Sequence, residues 1–558
     1  MGTSQLLVDG FIIIIYFVVV TGIGLYLGRK EDNLEDYALG GRRIPWWAVM
    51  ASIIAAETSA ATFIGVPAEG FTTRSVVYVQ LAFGLILGRI LVGSIFLKPY
   101  FTYKVYTVYD FLTIRFGNKS KNYVSALFLL MRTLASGVRL YVPSLVLVLA
   151  WRLFVMHEPV QFKHLDSVAP YAWAIIILTI VTCIYTALGG IKAVVWTDVI
   201  QASIMFLGAI VSIITIFLHL GGGNLIEGWR VLVKYVPEMT TTKGYFLTGF
   251  EKVTSGMSIL DILKLLLGNP YTIPAAIIAG TFGNMAAFGT DQDMVQRLLT
   301  ATNYKKSRRS LIMAAFMDVP IYFFFSFIGV LLIAFYALNP SLKPAKPNDA
   351  FGVYILNVMP IVIRGFVLAG VFATAMGSLS AALNALATSL TNDWYIPYFG
   401  KGKSQKQYVF AARVFTGLFA FLMICIACTF AYANVKLPGI TIIPVALGIA
   451  GYILGPMLGI FLLGMLTKTR GSDRGNIWAV SVGLFTILLT SGRLHDVVNW
   501  LLPAHFQIPF PDWLPKVQFT WFVMVGSLAT LAIGLLFPTP RETVESASRK
   551  TAEGKKNM

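Results

Sequence analysis

Apolar residues run along this chain in blocks of twenty or more, with none of the polar alternation that a membrane barrel strand requires. A helix needs roughly 20 apolar residues to cross a bilayer. On that measure the pattern predicts about 13 spans, near 8-28, 46-70, 76-97, 123-151, 170-190, 194-220, 273-296, 309-337, 360-392, 409-432, 440-466, 475-495 and 517-537. The first run follows a segment without a basic residue and ends without a small-x-small cleavage site, so it is expected to remain as a span. Two blocks are interrupted by polar and small residues. The second span holds Ala55-Ala56-Glu57-Thr58-Ser59-Ala60-Ala61-Thr62, and the seventh holds Gly283-Asn284-Met285-Ala286-Ala287-Phe288-Gly289-Thr290-Asp291. Counted from the second span these are first and sixth, corresponding positions in two five-helix halves. Paired interruptions of this kind point to an inverted-repeat transporter with its site near the membrane midplane. Unwound backbone is tolerated at that depth only where it lines a cavity or is buried in protein.

The basic residues sort by loop. Arg29, Lys30, Arg42 and Arg43 follow the first span; Lys104, Arg115, Lys119 and Lys121 the third; Lys305, Lys306, Arg308 and Arg309 the seventh. Lys401, Lys403 and Lys406 follow the ninth, Lys468, Arg470 and Arg474 the eleventh, and Arg549, Lys550, Lys555 and Lys556 lie in the tail. Every second loop is basic, which by the positive-inside rule puts the N-terminus outside and the C-terminus in the cytoplasm. The long loop near 221-272 then falls outside.

Composition agrees with a membrane solvent: 558 residues, 57% hydrophobic, 13% charged and a mean hydropathy of +0.73. The net charge of +18 sits in short loops and so reads as membrane orientation, with no nucleic-acid partner expected. Cys183, Cys425 and Cys428 lie inside apolar segments, outside any metal or disulfide spacing. His157, His164, His219, His495 and His505 form no catalytic constellation, and no signalling domain follows residue 540. An enzyme and a transporter-like sensor are therefore both disfavoured. Ionisable residues at membrane depth are functional candidates; Glu57, Arg139 and Asp318 stand out, with a buried Glu57–Arg139 ion pair as the structural alternative.

The run Gly40-Gly41-Arg42-Arg43-Ile44-Pro45-Trp46-Trp47-Ala48-Val49 continues through Ser52-Ile53-Ile54-Ala55-Ala56-Glu57-Thr58-Ser59-Ala60 to Phe63-Ile64-Gly65. With Gly189-Gly190, Val194-Val195-Trp196-Thr197-Asp198-Val199-Ile200-Gln201, Asp291-Gln292, Gln296-Arg297 and Gly377-Ser378-Leu379-Ser380-Ala381-Ala382-Leu383-Asn384, it closely resembles the sodium/solute symporter family. The sodium/galactose branch is nearest in wording. The resemblance implies an all-α polytopic protein with a five-plus-five inverted-repeat (LeuT-type) core at 46-467. An extra span and loop at 1-45 would precede it, two extra spans at 468-540 and a cytoplasmic tail at 541-558 would follow, and the location would be the inner (plasma) membrane.

The resemblance also implies sodium as co-transported ion, without a further cofactor. Its ligands would be backbone oxygens of Ala55, Thr58 and Thr374 and the side chain of Ser378. The family often has two adjacent hydroxyl residues where this chain has Gly377 and Ser378, which removes one ligand and leaves room for a water. The alternative is that Gly377, Ser378 and Ala381 only permit close helix packing. In the sialic-acid branch an aspartate at the place of Asp198 helps hold a second sodium; here Ser380 survives but Gly377 and Ala381 do not match, and the alternative is that Asp198 is an aspartate at a helix N-terminus stabilised by the dipole. For the solute, Asn284 matches a sugar-contacting asparagine, while Glu57, Thr62, Asp318 and Ala287 depart from the galactose pattern. A small polar solute, foremost a sugar or sugar acid, is expected. An amino acid or other zwitterion, held by Glu57 and Asp318 on its cationic end and Arg139 on its carboxylate, is the alternative, as is a proton in place of sodium.

Overall fold

The computed structural model describes all residues except 1–2, 29–32, 153–166, 242–243, 247, 249, 251–252, 255, 270–271, 345, 437–441, 503–507, 512–513 and 557–558. Named strands are absent among the described residues, and every predicted span finds a helix or a broken helix. The first is α1 (Thr3–Leu27). The second span is two helices, α2 (Trp46–Glu57) and α3 (Ala60–Thr73), bent by 62°. Then come α4 (Leu81–Ile95), α5 (Asn118–Arg139) and α6 (Tyr141–Trp151), the last two forming one span, and α7 (Ala169–Leu220).

At about 1.5 Å per residue the 52 residues of α7 would reach far beyond one bilayer. Gly190 divides them. Its φ of 54° and ψ of −154° are non-helical, and a Cβ there would lie 2.5 Å from the Tyr37 carbonyl oxygen, so only glycine allows this corner between the fifth and sixth spans.

The second half carries the other broken span, α8 (Gly280–Gly289) and α9 (Gln292–Leu299), followed by α10 (Tyr304–Leu338), α11 (Ile363–Ser389) and α12 (Gln405–Lys436). The last spans are α13 (Ile442–Leu466), α14 (Gly475–Thr490) and α15 (Phe522–Leu535), and the tail forms α16 (Arg541–Lys556). The break between α8 and α9 falls at Thr290 and Asp291, the far end of the interval expected; Gly283 to Phe288 stay helical, with a π-helical turn at Ala275–Ala279 just before. Asp291 caps α9 by accepting a hydrogen bond from the Asp293 amide.

Small residues let α11 run through the centre of the bundle, against α7, α2 and α1. The extra helix α1 is fastened to it. Asp9, fully buried, accepts from Arg364 Nε at 2.7 Å and from the amides of Val362 at 2.8 Å and Gly365 at 3.2 Å, so it both pairs a charge and caps α11. Tyr16, further along α1, donates to Met376 Sδ at 3.7 Å.

Candidate functional site

The helical hydrogen bonds of α2 stop at Thr58, whose φ of −81° and ψ of 94° are extended, and α3 restarts when Ser59 accepts from the Thr62 amide. The unwinding falls inside the interrupted sequence. Beside it lies a cavity lined by Ser59, Ala60, Ser136, Arg139, Leu140, Pro143, Ala375, Ser378 and Leu379. Arg139 is the one ionisable residue in that lining, and among the described residues it forms neither an ion pair nor a hydrogen bond. Ser378, a predicted sodium ligand, shares the wall with it; its hydroxyl donates back to the Ala375 carbonyl at 3.1 Å. Thr374 donates likewise to Val371, 2.8 Å away.

The Glu57–Arg139 pair, the structural alternative to a role in solute binding, does not form. Glu57 and Asp318 instead both bind Arg89, a residue of α4 that is completely buried. Asp318 sits 2.7 Å from Arg89 Nη2, and the guanidinium lies over the Phe288 ring, 4.3 Å from its centroid. Asn284 is buried against α4 and its amide donates to Gly280 of its own helix at 3.0 Å. Thr62 is half-buried at the start of α3 with its hydroxyl 3.3 Å from that of Ser59. Thus Arg139, Ser378 and the break come together, Glu57 and Asp318 meet elsewhere, and Asn284 belongs to the packing of α8 on α4.

Next to the break is a group of buried oxygens. A Cβ on Gly377 would lie 2.7 Å from Gln201 Oε1, 3.3 Å from Asp198 Oδ1 and 3.6 Å from the Ala55 carbonyl oxygen. Three oxygens therefore surround the space that the absent side chain leaves. Asp198 Oδ1 and both polar atoms of the Gln201 carboxamide have no hydrogen-bond partner, although unpaired buried polar atoms are costly. The hydroxyls of Tyr16 and Tyr185, which face Gln201, are turned to Met376 instead. Asp198 Oδ2 is in contrast fully used, by Ser52 at 2.5 Å and Arg297 at 3.2 Å. Ser380 donates to the Gly377 carbonyl at 3.1 Å, on the same turn.

Asp198 is the end of a longer chain of buried charges. Arg297 also holds Asp293 at 2.8 Å, Asp293 lies 3.0 Å from Arg132, and Arg132 binds Asp291. Three carboxylates and two guanidinium groups are in direct contact, Arg139 adds a third guanidinium within electrostatic reach of Asp291 and Asp293, and the Asp198 oxygen left without a partner points into the Gly377 space. The unpartnered oxygens around that space suit a hard monovalent cation, which needs several oxygen ligands. His157, His164 and His505 lie outside the described residues.

Residues 37–483 match the model of the sodium:solute symporter family, most of the chain. The chain belongs to this family. Among relatives, the sodium/sialic acid symporter SiaT of Proteus mirabilis is 28% identical over 93% of this chain and 92% of its own length. The sodium/glucose cotransporter of Vibrio parahaemolyticus is 25% identical, over 86% of this chain and 84% of its own. The solved structure of a Na+-coupled sialic acid symporter, in a substrate-bound outward-open state, superimposes with a TM-score of 0.75 at 24% sequence identity, covering 95% of this chain and 97% of that one. The fold is accordingly the all-helical inverted-repeat transporter fold, and the protein is a multi-pass membrane symporter with sodium as co-transported ion and no enzyme.

Arg89, Gln201, Arg132 and Arg297 escaped the reading of the sequence as site residues. Arg89 and Arg132 carried a usable signal, a charge in mid-run of an apolar block. Gln201 closes the motif that begins at Val194 and lies one turn after Asp198, with no other mark of a ligand.

Proposed function

We propose that this symporter takes up a small sugar acid together with sodium, with Arg139 gripping the carboxylate. The observation that carries this reading is the unpaired Arg139 in the cavity beside the broken span. A guanidinium in such a place offers a two-point, charge-assisted contact that suits a carboxylate. The zwitterion reading needs Glu57 and Asp318 free for an ammonium group, and both are engaged by Arg89. The name of the relative SiaT, a sialic acid symporter, agrees with an acidic sugar.

The ion is held at the break by the backbone oxygens of Ala55, Thr58 and Thr374 with Ser378, and a second ion uses Asp198 and Gln201, with Ser380 on the adjoining turn. Ser378 touches both the ion set and the solute cavity, so each ligand favours the same arrangement of α2, α3 and α11, and binding of one raises affinity for the other. The core spans 46-467, the N-terminus is outside, and the C-terminus is in the cytoplasm of a cell whose inner membrane holds the protein. Thermal shift of the purified protein in sodium buffer tests the solute, since a bound ligand stabilises by mass action. N-acetylneuraminate and other sugar acids should raise Tm, neutral sugars and amino acids should not, and Arg139→Gln should abolish the shift. Undiminished uptake into proteoliposomes driven by a pH gradient without sodium would overturn the sodium reading.

A further inference from the structure

Past Gly377, on the same face of α11, come Ala381, Asn384 and Thr388, at spacings of four, three and four residues that a helix of 3.6 residues per turn keeps in line. At 1.5 Å per residue Asn384 lies about 10 Å and Thr388 about 16 Å from the Gly377 space, toward the end of α11 that the basic loop at Lys401, Lys403 and Lys406 marks as cytoplasmic. All four are buried, so two small residues and then two neutral polar ones make a stripe through the interior. Gln296 of α9 closes on it. Its amide nitrogen is 2.7 Å from Asn384 Oδ1, 3.0 Å from Thr388 Oγ1 and 2.7 Å from the carbonyl oxygen of Ala38, in the loop between α1 and α2, so three acceptors share two N–H groups. Gln296 Oε1, Asn384 Nδ2 and, at the end of α11, Ser389 Oγ are buried without a hydrogen-bond partner among the described residues. They continue the run of unsatisfied polar atoms that starts with Asp198 and Gln201 beside Gly377. Such atoms are costly to bury, and neutral oxygens in a row are what lets a cation pass without being trapped.

We propose that this stripe is the route by which sodium leaves the Gly377 pocket for the cytoplasm, and that the Gln296 carboxamide is the bolt that closes it. The carboxamide joins α9, α11 and the loop before α2 at one point, so the route opens only when α9 draws away from α11. Arg297, the next residue of α9, holds Asp198 at 3.2 Å, which fastens the same turn to the wall of the pocket. An ion that draws Asp198 and α11 together steadies the surface on which the bolt is seated, so the occupied pocket favours the closed route. Gln296 acts through Asn384 and Thr388 and is a positioning residue. The inference rests on the ion pocket beside Gly377, and the experiment separates the two.

In the full-length protein Cys183, Cys425 and Cys428 are replaced by alanine, Ala381→Cys places a single thiol between the pocket and the bolt, and inside-out membrane vesicles are treated with a charged methanethiosulfonate reagent. An inward-open form populated at about 10% or less in sodium should make labelling about tenfold slower in sodium than in potassium. Gln296→Ala should abolish that difference by raising the rate in sodium. Asn384→Ala, which removes the acceptor on the other side of the bolt, should act in the same direction and carries the test where Gln296→Ala does not fold. A thiol from Leu386→Cys, on the opposite face of α11, should stay unreactive throughout. If position 381 is unreactive from the cytoplasmic side in potassium, or labels no faster than position 386, the stripe is no route and the proposal fails. If the variants keep the sodium protection of position 381, Gln296 only packs α9 on α11, and the proposal fails as well. If Gly377→Ala binds sodium like the wild type, the ion pocket falls first and the route from it goes with it.

Discussion

Gly377→Ala distinguishes an ion pocket from a mere packing contact. The added methyl would stand 2.7 Å from Gln201 Oε1, closer than real contacts of this kind come, and 3.3 Å from Asp198 Oδ1. The Gln201 carboxamide, which makes no hydrogen bond that would hold it, must swing away, and the methyl takes the space between the remaining oxygens. An ion there loses one neutral ligand and part of its room. A hydrogen-bonding contact to a charged group contributes about 1.5–3 kcal/mol, so the sodium midpoint should rise by about 10- to 150-fold at 1.4 kcal/mol per decade. The assay is a sodium titration of solute binding, followed by tryptophan fluorescence or calorimetry, with solute affinity measured again at saturating sodium. That second affinity should change little. Gly377→Ser should lie nearer the wild type, because its hydroxyl supplies an oxygen where Gln201 withdrew one. If Gly377→Ala merely lowers Tm by the strain of overpacking, about 1–3 kcal/mol, and leaves the sodium midpoint within threefold, the glycine serves helix packing and the ion pocket is misassigned.

Ser378→Ala should raise the sodium midpoint more than it raises the solute Kd at saturating sodium; a change confined to solute affinity would remove Ser378 from the ion set. Cysteines at Lys403 and Thr240, both exposed, should label from opposite sides of the membrane in whole cells, position 240 from outside and position 403 only after permeabilisation, and the reverse would invert the orientation. Asp9→Asn removes the carboxylate that meets Arg364 Nε and the start of α11, and losing one partner of a buried pair costs up to about 3–5 kcal/mol, to be seen as a lower Tm in detergent; an unchanged Tm would mean the pair holds nothing together.

The broken spans were legible because an unwound segment needs residues that long apolar helices avoid, and Glu57-Thr58-Ser59 stands out against its flanks. The fold followed from where those breaks lie in the order of spans. Arg139 was legible for the same reason, as a charge in an apolar run. The pairing of Glu57 was not. Which acid meets which guanidinium depends on how helices are rotated and stacked, and one sequence holds no measure of that, so Arg139 stands as the alternative partner for Glu57 in the sequence while the structure brings Glu57 to Arg89 on α4. The Gly377 space was read as room for a water for a similar reason: the loss of a hydroxyl is visible in the sequence, but the approach of Gln201 and Asp198 from α7 appears only when two helices far apart in the chain are packed together.

The clasp between Asp9 and Arg364 also sets an order of events during synthesis. The two residues are 355 positions apart, and at about 5–20 residues per second Arg364 leaves the ribosome roughly 20 to 70 s after Asp9. Through that interval the first helix carries a carboxylate whose final partner does not yet exist, and an acid within a span is costly to keep in lipid. Until α11 arrives, the acid has to remain at the headgroup and water boundary near the helix end. The first helix therefore meets the membrane before α11 does and settles at its final depth only after α11 has arrived.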